Sequence, residues 1–172
     1  MKTGLLLTGL FLVSGQAAEG IWRFGTRVQG TVDFEPGNDY FIGPEVAYSD
    51  CRVAKQRLQV KFGWLTSRLE QRFRVNIIKQ DYFLLTPVWH FRVDRIFDPI
   101  VQFDFGYTRF DVENERIFGD LENTAWIATP QAGLNVNLAQ GRYGAYYHFG
   151  YNLITSSLVY PAVFSVGIWV RP

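Results

Sequence analysis

The residues able to do acid–base or nucleophilic chemistry are few. His90 and His148 are the only histidines and Cys51 is the only cysteine. Acyl-transfer chemistry needs a nucleophile, a base and an orienting carboxylate within hydrogen-bond reach. Ser49 beside Asp50 and the pair Ser156-Ser157 read as turn and loop hydroxyls. One cysteine excludes an internal disulfide and a cysteine-based zinc cage, and two histidines offer no metal cluster. No phosphate-binding glycine loop is present. The chain is therefore read as a non-enzyme with no catalytic, metal or cofactor-binding residues. Its charged residues are spaced in another way: Arg23, Arg27, Asp33, Glu45, Arg57, Lys61, Asp104, His148 and Arg171 share a face with Gln29, Gln59, Gln102, Gln131, Asn135, Asn137 and Asn152. Charges on an enclosed face must be paired and hydrogen-bonded. Glu45 and Asp104 are the expected partners of Arg23, Arg27, Arg57 and Lys61.

The elements that carry this face are strands. From Trp22 to Phe34 large apolar residues occupy mainly the even positions, while Arg23, Gly25, Arg27, Gln29, Thr31 and Asp33 occupy the odd ones. Period two of this kind gives a strand one apolar and one polar face. Alternation recurs over 40–49, 57–64, 82–92, 101–108, 126–137, 143–153 and 160–171, giving eight strands. Residues 51–55, 93–98 and 139–142 are short connections, which places Cys51 in a turn; 35–39 is a turn and 154–159 a modest loop. Segments 67–79 and 111–124 are longer and charged. Pro44, Pro87 and Pro130 fall inside strands and predict bulges, since each removes a ladder donor.

Which face points outward follows from volume. Eight strands enclose a bore just wide enough for side chains. Trp22, Phe24, Phe62, Trp64, Phe103, Phe105, Trp126 and Phe149 would overfill it. Eight glycines, Gly25 and Gly167 among them, lie on the polar face and only Gly30 on the apolar one. The polar face is therefore the interior. Trp22, Tyr40, Tyr48, Trp64, Tyr107, Trp126, Tyr143 and Tyr160 stand near strand ends on the apolar face, where an interfacial aromatic girdle belongs. The expected fold is all-β: an eight-stranded antiparallel up-and-down transmembrane β-barrel. The same alternation turned inside out would be a soluble, lipocalin-like carrier.

Composition agrees with an exported membrane strand protein. Of 172 residues, 48% are hydrophobic, 17% aromatic and 19% charged, and 17 basic residues balance 16 acidic ones. That balance gives no pull toward nucleic acid. Lys2, the apolar run 5–13 and the small residues Ser14, Gly15, Ala17 and Ala18 read as a cleaved secretory signal, with the cut after Ala17 or Ala18. The expected division is 1–18 signal and 19–172 barrel. No later stretch is long and apolar enough for a membrane-spanning helix.

With a signal, eight alternating strands and long loops at one end, the chain resembles the small outer-membrane barrels, the class of the outer membrane protein A transmembrane domain and of outer membrane proteins X and W. The resemblance covers the whole mature chain and rests on pattern. It implies residence in the bacterial outer membrane, lipid and lipopolysaccharide as surroundings, and contact with the assembly machinery. That machinery commonly reads a terminal aromatic residue, whereas this chain ends Ile168-Trp169-Val170-Arg171-Pro172. Some members modify lipid A, and the deacylases place a serine two residues from a histidine. Here Gly150 follows His148 at that spacing and Arg92 follows His90, so the motif is absent. The expected role is structural, adhesive or partner-binding through the long loops, with Arg68, Arg72 and Arg74 placed to meet lipopolysaccharide phosphates or a protein partner. A narrow solute channel is the alternative.

Overall fold

In the computed structural model, the described residues are 20–32, 40–53, 55–67, 77–112, 124–154 and 161–172. They form β1 (Ile21–Val32), β2 (Tyr40–Val53), β3 (Gln56–Ser67), β4 (Ile77–His90), β5 (Phe97–Val112), β6 (Thr124–Leu138), β7 (Tyr143–Tyr151) and β8 (Ala162–Val170). Each strand runs antiparallel to its sequence neighbour, and β1 pairs with β8 from Phe24↔Val170 to Val32↔Ala162, closing the barrel. Closure removes the unpaired edge that lipid could not hydrate. Two rims result. The terminal rim holds the start of β1, the end of β8 and the short connections near residues 55, 91–96 and 139–142. The loop rim holds the long connections. β7 and β8 have 9 residues each, against 14, 15 and 16 in β4, β6 and β5.

The faces sort as volume requires. Trp22, Phe24, Phe62, Phe105 and Phe149 are exposed on the outside, while Arg27, Asp104 and His148 are buried inside. The inner rings fit because glycine stands opposite them. A Cβ on Gly167 would meet the ring of Tyr146, its cross-strand partner, and one on Gly144 would meet the ring of Trp169. Gly167 and Gly144 therefore make room for rings that the bore could not otherwise hold.

Three expectations are corrected. The ladder shifts register between Tyr48 and Cys51 and between Ile77 and Lys79, not at the prolines. Thr26↔Pro44, Val60↔Pro87 and Phe103↔Pro130 all pair in register. Each proline also points outward, so only its missing N–H must be tolerated. The ladder lapses beside Pro44 toward β3 and beside Pro87 toward β5, then resumes in the same register. Cys51 is not in a turn: β2 continues through it, paired with Leu58. Arg171 is not luminal, because β8 ends one residue earlier and leaves it exposed at the terminal rim. Residues 1–19, with the expected signal, lie outside the described residues, as do Asp33, Tyr160, Arg68, Arg72 and Arg74.

Candidate functional site: the charged lumen

Alternation places Arg27 of β1, Glu45 of β2, Lys61 of β3, Asp104 of β5 and Tyr146 of β7 in one layer across the bore. Arg27 Nη2 donates to Asp104 Oδ2 at 2.5 Å, Gln29 Oε1 at 2.7 Å and Ser165 Oγ at 2.9 Å. Its Nη1 lies 3.6 Å from Glu45 Oε1. Asp104 also accepts from Thr86 Oγ1 at 2.7 Å and Gln131 Nε2 at 2.5 Å. Lys61 Nζ sits 3.9 Å from Glu45 Oε2, 3.3 Å from Gln102 Oε1 and 4.1 Å above the Tyr146 ring. The Tyr146 hydroxyl donates to Glu45 Oε2. Two cations thus face two carboxylates with neutral donors filling the remaining lone pairs, the condition under which buried charge is tolerated. Tyr146→Phe leaves Glu45 one donor short and should cost about 1–3 kcal/mol of stability, read from urea unfolding in lipid vesicles. An unchanged midpoint would show that the hydroxyl contributes nothing.

Nearer the terminal rim a second layer forms. His90 Nδ1 faces Asp98 Oδ2 at 2.6 Å and Nε2 faces Gln59 Oε1 at 3.1 Å, while Asp98 Oδ1 accepts from the backbone N–H of Arg92 at 2.7 Å. Two acceptors on one ring call for a doubly protonated imidazolium, or for a Gln59 amide turned so that its N–H₂ donates to Nε2. The Arg23 guanidinium lies 3.9 Å over the Trp169 ring, whose Nε1–H donates to Asn135 Oδ1 at 2.8 Å. Arg23, Gln59, Lys61, His90 and Trp169 line a cavity of about 20 Å³, room for a single water molecule.

Nearer the loop rim the lumen turns apolar. Phe41, Leu65, Tyr82, Leu84 and Ile127 form a buried cluster, with Phe41 and Tyr82 packed edge to face at 4.6 Å. Gln80 Nε2 bridges the Tyr82 hydroxyl at 2.9 Å and Thr108 Oγ1 at 3.0 Å.

Of the charged positions singled out in the sequence, Arg23, Arg27, Glu45, Lys61, Asp104 and His148 are buried in the lumen, and Arg57 is half-buried at its terminal end. Glu45 and Asp104 do not serve all four cations. They engage Arg27 and Lys61, whereas Arg23 packs on Trp169. His148 stacks on Tyr146 at 4.4 Å, and neither ring nitrogen has a hydrogen-bond partner. Sequence reading missed Asp98, whose place before Pro99 resembles a turn. The His90–Asp98 pair holds a base and a carboxylate, but its next contact is an amide and not a nucleophile. Among the described residues no group of His, Cys, Asp and Glu has metal-site geometry.

Outside, Tyr40, Trp64, Tyr107 and Trp126 are exposed toward the loop rim, and Trp22 and Tyr143 toward the terminal rim. Tyr48 is half-buried against Trp22 at 4.8 Å. Phe83 stacks on Tyr107 at 5.0 Å, and Trp64 Nε1 donates to Asp81 Oδ1 at 3.3 Å beside the Lys79–Asp81 ion pair. Between these rings lies an apolar belt, including Val28, Leu85, Val101 and Val166. Such an exterior is solvated by hydrocarbon with interfacial rings at headgroup depth.

No protein-family model matches the sequence, and no curated protein does. Solved structures do match. Ail, the attachment invasion locus protein of Yersinia pestis, is 15% identical with a TM-score of 0.60, covering 91% of this chain and 98% of Ail. The N-terminal β-barrel domain of Pseudomonas aeruginosa OprF is 10% identical with a TM-score of 0.58, covering 91% and 100%. Neisserial surface protein A is 11% identical with a TM-score of 0.56, covering 91% and 99%. The fold is that of the small bacterial outer-membrane barrels. Its apolar belt and paired aromatic rings give this barrel the exterior that a membrane-spanning barrel requires. At these identities the likeness concerns the fold.

Proposed function

We propose that this outer-membrane barrel is a non-enzymatic scaffold with a closed lumen, exported with residues 1–18 removed, that makes its contacts through the segments beyond the loop rim. The observation that carries the closed lumen is the Arg27–Asp104–Glu45–Lys61 layer, in which every charge has an opposite charge within 4 Å. Ions committed to one another hold the wall together and leave no ligand-facing charge in the centre. The apolar cluster above them adds a barrier that hydrated solutes do not cross. The contact surface proposed is segment 67–79, with Arg68, Arg72 and Arg74 engaging anionic groups such as lipopolysaccharide phosphates. Ail, which shares the fold, has a solved structure with the heparin analogue sucrose octasulfate, and this supports looking for a polyanion here.

Planar-bilayer recording tests the lumen: the reading expects no stable single-channel steps. Steps that vanish on Glu45→Ala or Asp104→Ala would establish the channel instead. Binding tests the contact surface. Arg68→Gln/Arg72→Gln/Arg74→Gln should fold normally and lose most affinity for lipopolysaccharide, and unchanged affinity would overturn that assignment. A change in lipid A mass on expression, abolished by His148→Ala, would revive an enzymatic role.

A further inference from the structure

The terminal rim carries charge that the lumen does not use. Lys55 lies between β2 and β3, Arg92 and Arg95 between β4 and β5, Arg142 between β6 and β7, and Arg171 beyond β8; all five are exposed. Among the described residues none of the five takes part in an ion pair. The exposed acid that accompanies them on these connections is Asp94, since Asp98 is buried against His90. Their backbones are fixed. Val93 N–H donates to Lys55 O at 3.1 Å, Arg95 N–H to Arg92 O at 3.0 Å and Arg171 N–H to Arg142 O at 2.7 Å. The Asn137 side chain donates to Arg95 O at 2.9 Å. Unpartnered cations are therefore held at set places around the circumference.

Directly on the membrane side of these cations stand exposed apolar side chains: Phe91, Ile96, Phe97, Leu138, Tyr143 and Val170. Rings and aliphatics at acyl depth, with long cationic side chains above them, form the pattern of groups that snorkel into headgroups.

We propose that the terminal rim is a binding collar for anionic glycerophospholipids, with Lys55, Arg92, Arg95, Arg142 and Arg171 engaging the phosphates of the surrounding leaflet. A soluble partner would need its cations gathered on one patch. Here they occur on every connection of the rim, which suits a planar surface that surrounds the barrel. A cation close to an anionic surface favours it by roughly fivefold, and salt screens that attraction.

The test reconstitutes the full barrel in mixed bilayers and measures tryptophan quenching by brominated phosphatidylglycerol against brominated phosphatidylcholine. Phosphatidylglycerol should be preferred several-fold at low salt, with the ratio falling toward one near ~1 M salt. Arg92→Gln/Arg95→Gln/Arg142→Gln should bring the ratio toward one, and Arg109→Gln at the other rim should leave it unchanged. Equal binding of the two lipids by the unaltered barrel would overturn the proposal. So would a preference that survives the triple substitution, or one abolished by the loop-rim variant. Binding of soluble polyglutamate without any phosphatidylglycerol preference would assign the collar to a soluble polyanion and likewise overturn it. If the triple variant does not fold, the salt dependence of the unaltered protein decides.

Discussion

Asp104→Ala should destabilise the barrel by about 3–5 kcal/mol, the cost of leaving a buried charge without its partner. Asp104 is 1% exposed and takes hydrogen bonds from Arg27, Thr86 and Gln131. Deleting its carboxylate leaves the fully buried Arg27 with Glu45 at 3.6 Å as its remaining counter-charge. It also orphans the amide of Gln131 and the hydroxyl of Thr86. The pair is expected to be replaceable as a unit, because two apolar side chains in its place need no counter-ion. Arg27→Met combined with Asp104→Leu should thus recover most of the loss, giving a large coupling energy in the double-mutant cycle. Urea unfolding in vesicles of fixed composition measures Asp104→Ala, the single variants Arg27→Met and Asp104→Leu, and their combination. A loss below about 1 kcal/mol for Asp104→Ala would mean that water or a rearranged Glu45 replaces it cheaply.

Gly106→Val should be worse tolerated than its chemistry suggests. A Cβ at Gly106 would meet the carbonyl oxygen of Phe83 and the Cα of Leu84, both backbone atoms of β4. Side chains turn aside, but a ladder partner does not, so β4 and β5 would have to separate locally. The expected cost is about 3 kcal/mol, the upper end for overpacking, seen as a reduced heat-modifiable band on gels. Gly63 supplies the contrast. A Cβ there would have Glu45 Cγ at 3.6 Å as its nearest neighbour, an ordinary contact. Gly63→Ala should stay within about 1 kcal/mol of the parent, since the lost chain entropy favours alanine. Equal behaviour of the two variants would show that the bore is more compliant than its packing implies.

The strands and their inward face were legible because period two and the placement of glycine are properties of the chain alone. So was the acidic pair at the centre, since Glu45 and Asp104 stand in clean alternation with arginine and lysine. The rest depends on register between strands, which alternation does not specify. Asp98 precedes a proline and looks like a turn until β5 is seen to begin at Phe97. Arg23 shares its face with Glu45, yet stacks on Trp169 of the neighbouring strand β8, so it finds a ring and not a carboxylate. Phe41, Leu65 and Leu84 sit among polar neighbours and read as irregularities in single strands. Only the closed cylinder stacks them into one apolar layer. Prolines misled for a related reason: one missing donor in a closed ladder is met by a brief lapse in pairing, without an extra residue.

The unequal strand lengths have a geometric outcome. Nine residues at the usual rise and a tilt near 40° climb ~23 Å, about the height of the hydrocarbon slab. β7 and β8 therefore stop at the membrane surface, whereas the 16 residues of β5 would climb ~40 Å. The barrel stands tall where β4, β5 and β6 run and lies flush at β7 and β8. A visitor from solution meets a parapet built by β4, β5 and β6, and approaches it from the low side.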